Sequence, residues 1–456
     1  MTKAEYQVAE KIRVIAGLGK TGLSCARYLR ALGEKFAVAD SRLNPPGLAE
    51  FRAEFPDTVL ELGGFPEAMF MQARELIVSP GISLQTPAIK AAMDAGVRVC
   101  GDIDLFSRVA KKPIVAVTGS NGKSTVVTLV GEMARAAGIK VGVGGNLDGA
   151  GAAPALDLLR NGGSDLYVLE LSSFQLETTH NLCAEVAVIL NLSEDHMDRY
   201  ATMQDYLAAK QRIFLGCRQI VVNRDDPASA PHLTTSAITH SYGLDVPAVG
   251  SWGIVRADGQ DFLACGSERL LAVKELKIAG KHNVSNALAA LALGEAIGLP
   301  RQSMLATLKS FPGLPHRCQW IRNLDGVDFY NDSKGTNVGA SLVAIESLGE
   351  LVAGKLVLIA GGVDKEAEFS GMASHVARFV KLLVLIGRDA GNIATALKGA
   401  TEMVFATTLQ EAVTIAASRA TAGDAVLLSP ACASFDMFSD FTQRGRVFIE
   451  AVEALR

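Results

Sequence analysis

Short apolar runs alternate with amphipathic helical stretches along most of the chain, and Gly-rich or polar turns separate them. Runs of this kind stand at 14–16, 114–117 and 356–360. Because the strands of parallel sheets are buried on both faces, this alternation predicts βαβ units and mostly parallel sheets. Polar residues follow many of these runs, at the strand ends where open α/β sheets bind ligands.

The repeated pattern predicts three α/β domains, each built on a mostly parallel sheet. We expect a Rossmann-like domain at 1–101, a central P-loop ATPase-type domain at 102–313 and a second Rossmann-like domain at 314–456. The length of 456 residues agrees, since it corresponds to about three domains of ordinary size.

Composition narrows the class of protein further. Residues are 49% hydrophobic and 20% charged, which is typical of a globular enzyme. The net charge of −4 gives no reason to expect nucleic acid or an anionic membrane as a partner. Seven scattered cysteines without a CxxC pair argue against zinc or a disulfide framework. The N-terminus shows no apolar signal core and no run of eighteen apolar residues follows, so we predict a soluble cytoplasmic protein without membrane insertion.

The segment 113–125, PIVAVTGSNGKST, reads as an apolar strand, a Gly-rich turn and the start of a helix. Its glycines let the backbone approach a phosphate closely, and N–H groups at the helix start point at the anion. Lys123 would reach the terminal phosphates, and the hydroxyl of Ser124 or Thr125 would bind Mg²⁺. The motif T-G-x-x-G-K-[ST] is shorter than the usual G-x4-G-K-[ST], and it predicts nucleotide binding.

A second Gly-rich turn, GLGKTG at 17–22, lies between a strand and a helix near the N-terminus. The next strand ends at Asp40, where the dinucleotide fingerprint places an acid on a ribose hydroxyl. Taken alone, this pattern suggests an NAD-dependent dehydrogenase. A further short strand ends at Ser79-Pro80-Gly81, which is either a ligand-binding loop or a plain turn.

Three ionisable residues of the central region stand in unusual places. Glu170 lies within an apolar strand predicted at 166–177, where a lone acid is costly unless it is paired or binds a metal. His196 follows another apolar strand in an acid-and-His cluster, and it is either a ligand or a surface residue. Lys210 lies on the mostly apolar face of a helix predicted at 205–214, where a lysine usually extends to solvent.

The remaining polar groups stand at a helix start and at strand ends. The run 282–286, His-Asn-Val-Ser-Asn, begins an Ala/Leu-rich helix, where such residues act as caps or as adenine or phosphate contacts. In the C-terminal region, polar residues again follow predicted strands, which suggests a site where the three units meet. These residues are Asp332, Ser333, Lys334, Thr336, Lys365 and Ser434.

Taken together, TGSNGKST, LELSSFQLE, EDHMDRY, AAKQRIF, KHNVSNALAA, LPHR, NDSKGTN and SPACASFDMF resemble the motifs of the Mur ligases, and the likeness covers the whole chain. It implies an ATP-dependent ligase that adds D-glutamate to UDP-N-acetylmuramoyl-L-alanine in peptidoglycan precursor synthesis, through an acyl phosphate and a tetrahedral intermediate. It also implies that the first Gly-rich turn holds a UDP diphosphate rather than NAD. Two Mg²⁺ ions and ATP as co-substrate follow from the same resemblance. We expect a monomer, although the sequence itself does not give the oligomeric state.

The resemblance also implies roles for individual residues. Catalytic roles fall to Lys123, Glu170, His196, Lys210 and Lys334. Nucleotide contacts fall to Gly119, Asn121, Gly122, Lys123, Ser124, Thr125, Asn283, Asn286, Arg317 and Asp332. The UDP-substrate would meet Lys20, Thr21, Asp40, Ser41, Arg42, Ser79, Gly81, Asn146, Ser172 and Gln175. The metal ions would be held by Ser124, Thr125, Glu170, His196 and a carbamylated Lys210. D-glutamate would be held by Thr336, Lys365, Ser434 and Phe441.

Two departures from the family pattern and three rival functions remain open at this point. Lys20 takes a place where an apolar residue can stand, so it contacts the diphosphate or faces solvent. Val363-Asp364 replaces a turn that often contains glycine before Lys365. The rivals are another ATP-dependent amide ligase of the Mur and folylpolyglutamate synthase superfamily, a dehydrogenase with an appended P-loop domain, and a non-catalytic nucleotide switch. The chain lacks the D-N-P-R-type motif of diamino-acid-adding enzymes.

Overall fold

The computed structural model describes residues 11–147, 153–160, 162–232, 236–278, 280–364 and 367–456. Three sheets follow one another along the chain, and helices cover them. The predicted α/β architecture of three mostly parallel sheets is confirmed. The domain boundaries predicted at 101/102 and 313/314 fall between sheets and remain a prediction. Among the described residues, no helix has both the length and the apolar character needed to cross a bilayer.

The first sheet has five parallel strands in the order β3-β2-β1-β4-β5. Its central strands are buried on both faces, which explains their continuous apolar sequence. The strands are β1 (Arg13–Ala16), β2 (Phe36–Asp40), β3 (Leu60–Leu62), β4 (Glu75–Val78) and β5 (Arg98–Cys100). The helices are α1 (Lys20–Ala31), α2 (Leu48–Glu54), α3 (Glu67–Met71) and α4 (Pro87–Asp94).

The second sheet has nine strands in the order β14-β13-β12-β11-β10-β9-β6-β8-β7, and only β12, β13 and β14 pair antiparallel. The strands are β6 (Ile114–Thr118), β7 (Val141–Gly145), β8 (Leu166–Glu170), β9 (Val186–Ile189), β10 (Gln219–Asn223), β11 (Ile238–Tyr242), β12 (Trp252–Ala257), β13 (Gln260–Cys265) and β14 (Glu268–Ala272). The helices are α5 (Asp102–Ser107), α6 (Lys123–Ala136), α7 (Ala155–Arg160), α8 (Ser173–Glu177), α9 (Met203–Gln211), α10 (Lys281–Ala296) and α11 (Arg301–Ser310).

The third sheet has six strands in the order β15-β16-β20-β17-β18-β19, and only the edge strand β15 runs antiparallel to its neighbour. The strands are β15 (Gln319–Leu324), β16 (Val327–Asn331), β17 (Leu356–Gly361), β18 (Val380–Ile386), β19 (Glu402–Phe405) and β20 (Ala425–Leu428). The helices are α12 (Val338–Gly349), α13 (Ala373–Phe379), α14 (Ala390–Ala396), α15 (Leu409–Arg419) and α16 (Phe441–Glu453).

The structure corrects the predicted strand at 166–177. The strand β8 ends at Glu170, and 173–177 form the helix α8. The cause is a capping box, in which the Ser172 hydroxyl accepts from the Gln175 N–H while the Gln175 side chain accepts from the Ser172 N–H. The segment after β10 holds the four strands β11 to β14.

Candidate active site

The loop between β6 and α6 is the centre of the candidate site. Gly119 and Gly122 have φ values of +151° and +83°, and a Cβ on Gly122 would lie 2.4 Å from Oδ1 of Asn286. The Lys123 ammonium donates to two carbonyl oxygens of the loop, each at 2.9 Å. Burial lowers the pKa of Lys123. The lysine and the N–H groups at the start of α6 therefore form a cradle that suits a phosphate.

A short hydrogen-bonded chain crosses the base of this loop. The Ser124 hydroxyl donates to Oε2 of Glu170 at 2.6 Å, and the Arg317 guanidinium donates to the Ser124 oxygen at 2.6 Å. Asn146 donates to the other carboxylate oxygen of Glu170 at 3.2 Å. The hydroxyl and carboxylate oxygens fit Mg²⁺, which takes few protein ligands and completes its shell with phosphates and water.

Lys210 is buried in α9 next to the phosphate loop, with 1% of its surface exposed. Its ammonium donates to the Gly119 carbonyl at 3.0 Å and to the Thr118 hydroxyl at 3.3 Å, and it lies 4.6 Å from the centre of the Tyr206 ring. Burial, reinforced by the nearby Lys123 charge, lowers the pKa of Lys210 well below its usual range. The alternative of a lysine extending to solvent is therefore excluded.

His196 lies at the edge of a second cavity. This cavity has a volume of about 360 Å³ and is also bordered by Asp195 and Thr336. The His196 ring is centred 4.6 Å from that of Phe174, and its Nε2 lies 3.6 Å from Oδ2 of Asp195. Within the described residues, no group of three or more His, Cys, Asp or Glu side chains is arranged to hold a metal.

A first cavity of about 370 Å³ lies between the second and third sheets. It brings together eight of the predicted nucleotide and catalytic residues. These are Asn121, Gly122, Thr125, Asn283, Asn286, Arg317, Asp332 and Lys334. The predicted nucleotide-binding residues thus share one space, although their individual roles stay predictions.

The same cavity has polar walls that sequence reasoning missed. Asn191, Asp225 and Asp226 border it, and the Asn191 side chain accepts from the Asn121 N–H at 2.8 Å. These residues follow β9 and β10, so their position at strand carboxyl ends was a signal that could have found them.

The walls of the first cavity that come from the third sheet are built around Asp332. Its carboxylate accepts from the Cys318 N–H at 3.1 Å and from the Ser429 hydroxyl at 2.8 Å, and burial raises its pKa to about 6. The Lys334 ammonium lies 3.8 Å from the centre of the Phe441 ring. Phe441 therefore covers a lysine of the first cavity.

One buried residue that no sequence signal indicated supports this wall. Arg444 of α16 donates to the carbonyls of Ser333 and Cys432 at 2.8 and 3.1 Å. Burial lowers its pKa to about 10.

The structure describes only some of the predicted D-glutamate residues. Thr336 borders the second cavity, Ser434 is buried, and Lys365 lies outside the described residues.

The N-terminal Gly-rich turn is held by Asp40. Its carboxylate accepts from the Leu18 N–H at 2.7 Å and pairs with the Arg42 guanidinium at 2.8 Å. Burial opposes ionisation, but the Arg42 contacts and the Leu18 N–H prevail and lower the pKa of Asp40. Lys20, Ser41 and Gly81 are exposed around the turn, and Ser79 donates to the Gly17 carbonyl at 3.2 Å.

A polar contact inside the central unit lies next to the boundary with the N-terminal unit. The Gln175 side chain donates to Oδ2 of Asp102 at 3.2 Å. Oδ1 of Asp102 is buried and has no hydrogen-bond partner among the described residues. Burial raises the pKa of Asp102 to about 6. Asn146 and Ser172 follow the carboxyl ends of β7 and β8, and Gln175 lies in the short helix α8 after β8.

Comparison with known proteins shows which family this three-domain architecture belongs to. Three family models match in order: a MurD-like N-terminal domain at residues 11–101, a Mur ligase middle domain at 117–294 and a Mur ligase glutamate ligase domain at 316–432. The UDP-N-acetylmuramoylalanine–D-glutamate ligase of Pseudomonas aeruginosa is 57% identical over 98% of this chain and 99% of its own. The enzyme of the same name from Marinobacter nauticus is 54% identical over 98% of this chain and 99% of its own.

A solved structure supports the fold alone. A pseudomurein peptide ligase type C from Methanothermus fervidus matches with a TM-score of 0.62 at 18% identity, covering 98% of this chain and all of its own. The fold and the phosphate loop define a three-domain nucleotide-dependent α/β enzyme. The chain belongs to the Mur ligase family, as its motifs indicated, and it is a ligase.

Proposed function

We propose that this ligase joins D-glutamate to UDP-N-acetylmuramoyl-L-alanine with hydrolysis of ATP to ADP and phosphate, as a step of peptidoglycan precursor synthesis. The observation that carries the proposal is the 57% identity with a UDP-N-acetylmuramoylalanine–D-glutamate ligase over nearly the whole of both chains. The first cavity, with its phosphate loop, is consistent with ATP binding between the central and C-terminal units.

The proposed reaction begins when the alanyl carboxylate attacks the γ-phosphate and forms an acyl phosphate with release of ADP. The D-glutamate amine then attacks the acyl carbon, and the tetrahedral intermediate collapses with release of phosphate. Attack of a carboxylate on a phosphate brings like charges together, so the site must supply cations and alignment. Lys123 supplies one cation beside the transferred phosphate, and Lys334 supplies another.

Metal binding is part of this proposal. The oxygens of Ser124, Thr125 and Glu170 suit one Mg²⁺, and His196 with a carbamylated Lys210 would hold a second. When bound, the ions neutralise phosphate charge. Burial lowers the pKa of Lys210, which favours the neutral amine that reacts with CO₂ to give a carbamate and a proton. Because Lys210 donates to Gly119, the modified side chain would remain beside the phosphate loop.

Substrate contacts are assigned by resemblance and agree with the chemistry of the places described. For the UDP-substrate we propose the first Gly-rich turn, the loop 79–81 and the ends of β7 and β8. For D-glutamate we propose Thr336, Lys365, Ser434 and Phe441, which would supply a cation, hydroxyl donors and an aromatic wall. We also propose that the protein is a cytoplasmic monomer divided at residues 101/102 and 313/314.

The proposal is tested by phosphate release from ATP in the presence of UDP-N-acetylmuramoyl-L-alanine, with D-glutamate compared against L-glutamate, L-alanine, L-lysine and diaminopimelate. We expect release that depends on all three substrates and a product whose mass equals the acceptor plus one glutamate residue. Faster turnover with any other amino acid would reject D-glutamate as the substrate. Reaction with a different UDP-acceptor alone would reject the acceptor while leaving the ligase class intact.

A further inference from the structure

We propose that Arg199 is a positioning residue for the UDP-substrate. It holds the loop 79–82 of the N-terminal unit in place from the central unit. The inference rests on the proposed function, because it assumes that this loop lines the UDP-substrate pocket. Arg199 is not among the residues that the sequence motifs or the family resemblance assigned to the site.

The guanidinium of Arg199 reaches across the junction of the two units. Its Nη1 donates to the Pro80 carbonyl and its Nη2 to the Ile82 carbonyl, each at 3.2 Å. Both acceptors are backbone oxygens, so the contact fixes the course of the loop whatever its side chains do. The loop and the central unit are thereby joined at two points by one rigid, planar group.

The central unit holds this guanidinium in turn. Nη2 of Arg199 lies 2.5 Å from Oε2 of Glu177, and the hydroxyl of Tyr200 donates to Oε1 of the same carboxylate at 2.6 Å. Arg199 also stacks 4.4 Å from the centre of the Phe174 ring. The Arg199 and Glu177 side chains are only 12% and 14% exposed. A paired and stacked guanidinium has few other orientations, so it fixes the loop in one position.

The loop 79–82 in turn contacts the Gly-rich turn at 17–22 and so fixes its position. Ser79 donates to the Gly17 carbonyl, and a Cβ on Gly17 would lie 2.8 Å from Cδ1 of Ile82. The turn and the loop are thus in direct contact, and a shift of one displaces the other. Arg199 borders neither described cavity near the phosphate loop. Loss of Arg199 is therefore expected to weaken the binding of the UDP-substrate and to leave the binding of ATP unchanged.

The test compares Arg199→Met and Arg199→Lys with the wild type. We expect Arg199→Met to raise both the KM and the calorimetric Kd for UDP-N-acetylmuramoyl-L-alanine at least about tenfold, since charge-assisted hydrogen bonds are lost. The KM values for ATP and D-glutamate should not change. The Kd of Arg199→Lys for the UDP-substrate should lie between those of the wild type and Arg199→Met, because an ammonium keeps the charge but lacks the planar geometry of the guanidinium.

Arg108→Met is the matched control. Arg108 also pairs across the junction, with Glu75 at 2.6 Å, and it pairs with Asp104 within its own unit at 2.6 Å, but it does not contact the loop 79–82 in the contacts described. The Arg108→Met variant should therefore have the same Kd for the UDP-substrate as the wild type. If Arg199→Met fails to fold, Glu177→Gln should raise the same Kd by releasing the guanidinium.

The outcomes separate the two proposals. Wild-type protein that fails to bind UDP-N-acetylmuramoyl-L-alanine would reject the proposed function. Wild-type binding together with an unchanged Kd in Arg199→Met would overturn the role of Arg199. An equal rise in all three KM values would also overturn it, because that result indicates general destabilisation rather than positioning of one substrate.

Discussion

The central unit meets its two neighbours through interfaces of different composition: the N-terminal interface adds a shared apolar cluster to its polar contacts. Towards the N-terminal unit, one buried apolar cluster runs from Ile15 to Ile220 and so spans the junction. Two of its members in the central unit, Phe106 and Tyr167, pack edge-on with ring centres 5.0 Å apart. Towards the C-terminal unit, polar contacts prevail, although Leu314 packs against the apolar cluster of the central unit. His282 bonds to Ser347 at 2.9 Å, and the apolar clusters of that unit contain only its own described residues.

This difference suggests which junction opens. Separating an apolar interface exposes buried surface to water at a cost of about 25 cal/mol per Å², whereas polar contacts exchange with water at little cost. The two cavities that border the phosphate loop and His196 both lie at the polar junction. We therefore expect the C-terminal unit to move when substrates enter and the N-terminal unit to stay with the central one.

The largest expected effect comes from the apolar cluster that spans the N-terminal junction. Phe106→Ala should lower the free energy of unfolding by about 3–5 kcal/mol, because it leaves a cavity at a fully buried position. Urea denaturation measures the loss. Phe435→Ala is the control, since that ring is 74% exposed and its removal should cost less than about 0.5 kcal/mol. Equal losses in the two variants would contradict the importance of the apolar junction.

At the polar junction, the phosphate loop should control turnover and not stability. Lys123→Ala should lower kcat by about 10²–10³-fold, because a cation facing the transferred phosphate contributes about 3–4 kcal/mol to the transition state. Phosphate release measures kcat, and thermal unfolding should be unchanged. Lys111→Ala, which removes an exposed lysine, is the control. Turnover near the wild-type rate would remove Lys123 from the site.

Lys210 gives a second test of the phosphate loop, because its proposed carbamylation requires a neutral amine. Lys210→Ala should lose at least about 10²-fold in kcat, and short carboxylic acids should partly restore it by replacing the lost anion. Lys210→Arg should stay inactive, because a guanidinium keeps the charge but does not form the carbamate. In wild-type protein, ¹³CO₂ should give a carbonyl NMR signal that both variants lack. Full activity in Lys210→Arg would disprove the carbamate.

Much of the fold follows from the sequence because buried parallel strands are apolar throughout. The strand before the phosphate loop, β6, and the strand before the first Gly-rich turn, β1, lie where the apolar runs predict them. Runs of mixed character were misjudged: the predicted strand at 166–177 breaks at Leu171, since the capping box of Ser172 and Gln175 starts a helix. Local side-chain hydrogen bonds decided that boundary, and hydrophobicity alone does not show them.

The site was less predictable than the fold. Glycines, the loop lysine and acids at strand ends are local signals, and together with the family resemblance they named eight residues of the first cavity in advance. Arg199 and Arg444 act on partners 119 and 111 residues away, and only the folded chain brings such partners together.

The smallest expected effect distinguishes the two junctions by the sign of their pH dependence. Burial raises the pKa of Asp102, near the N-terminal junction, to about 6. The folded state then binds more protons than the unfolded state, so its stability falls as the pH rises through about 6. Burial lowers the pKa of His282, at the C-terminal junction, to about 4. There the unfolded state binds more protons below the ordinary histidine pKa, so stability is lost as the pH falls.

Unfolding free energies measured at pH 5 and pH 7 test these opposite signs. The stability of wild type relative to Asp102→Asn should fall by about 1 kcal/mol between pH 5 and pH 7, because only the wild type must ionise the buried carboxyl. Relative to His282→Gln, the wild type should instead gain stability over the same interval. Asp165→Asn, at a side chain that is 62% exposed, should show neither trend. Parallel pH profiles for wild type and Asp102→Asn would mean that water reaches this carboxylate, and the N-terminal junction would then be less dry than its apolar cluster indicates.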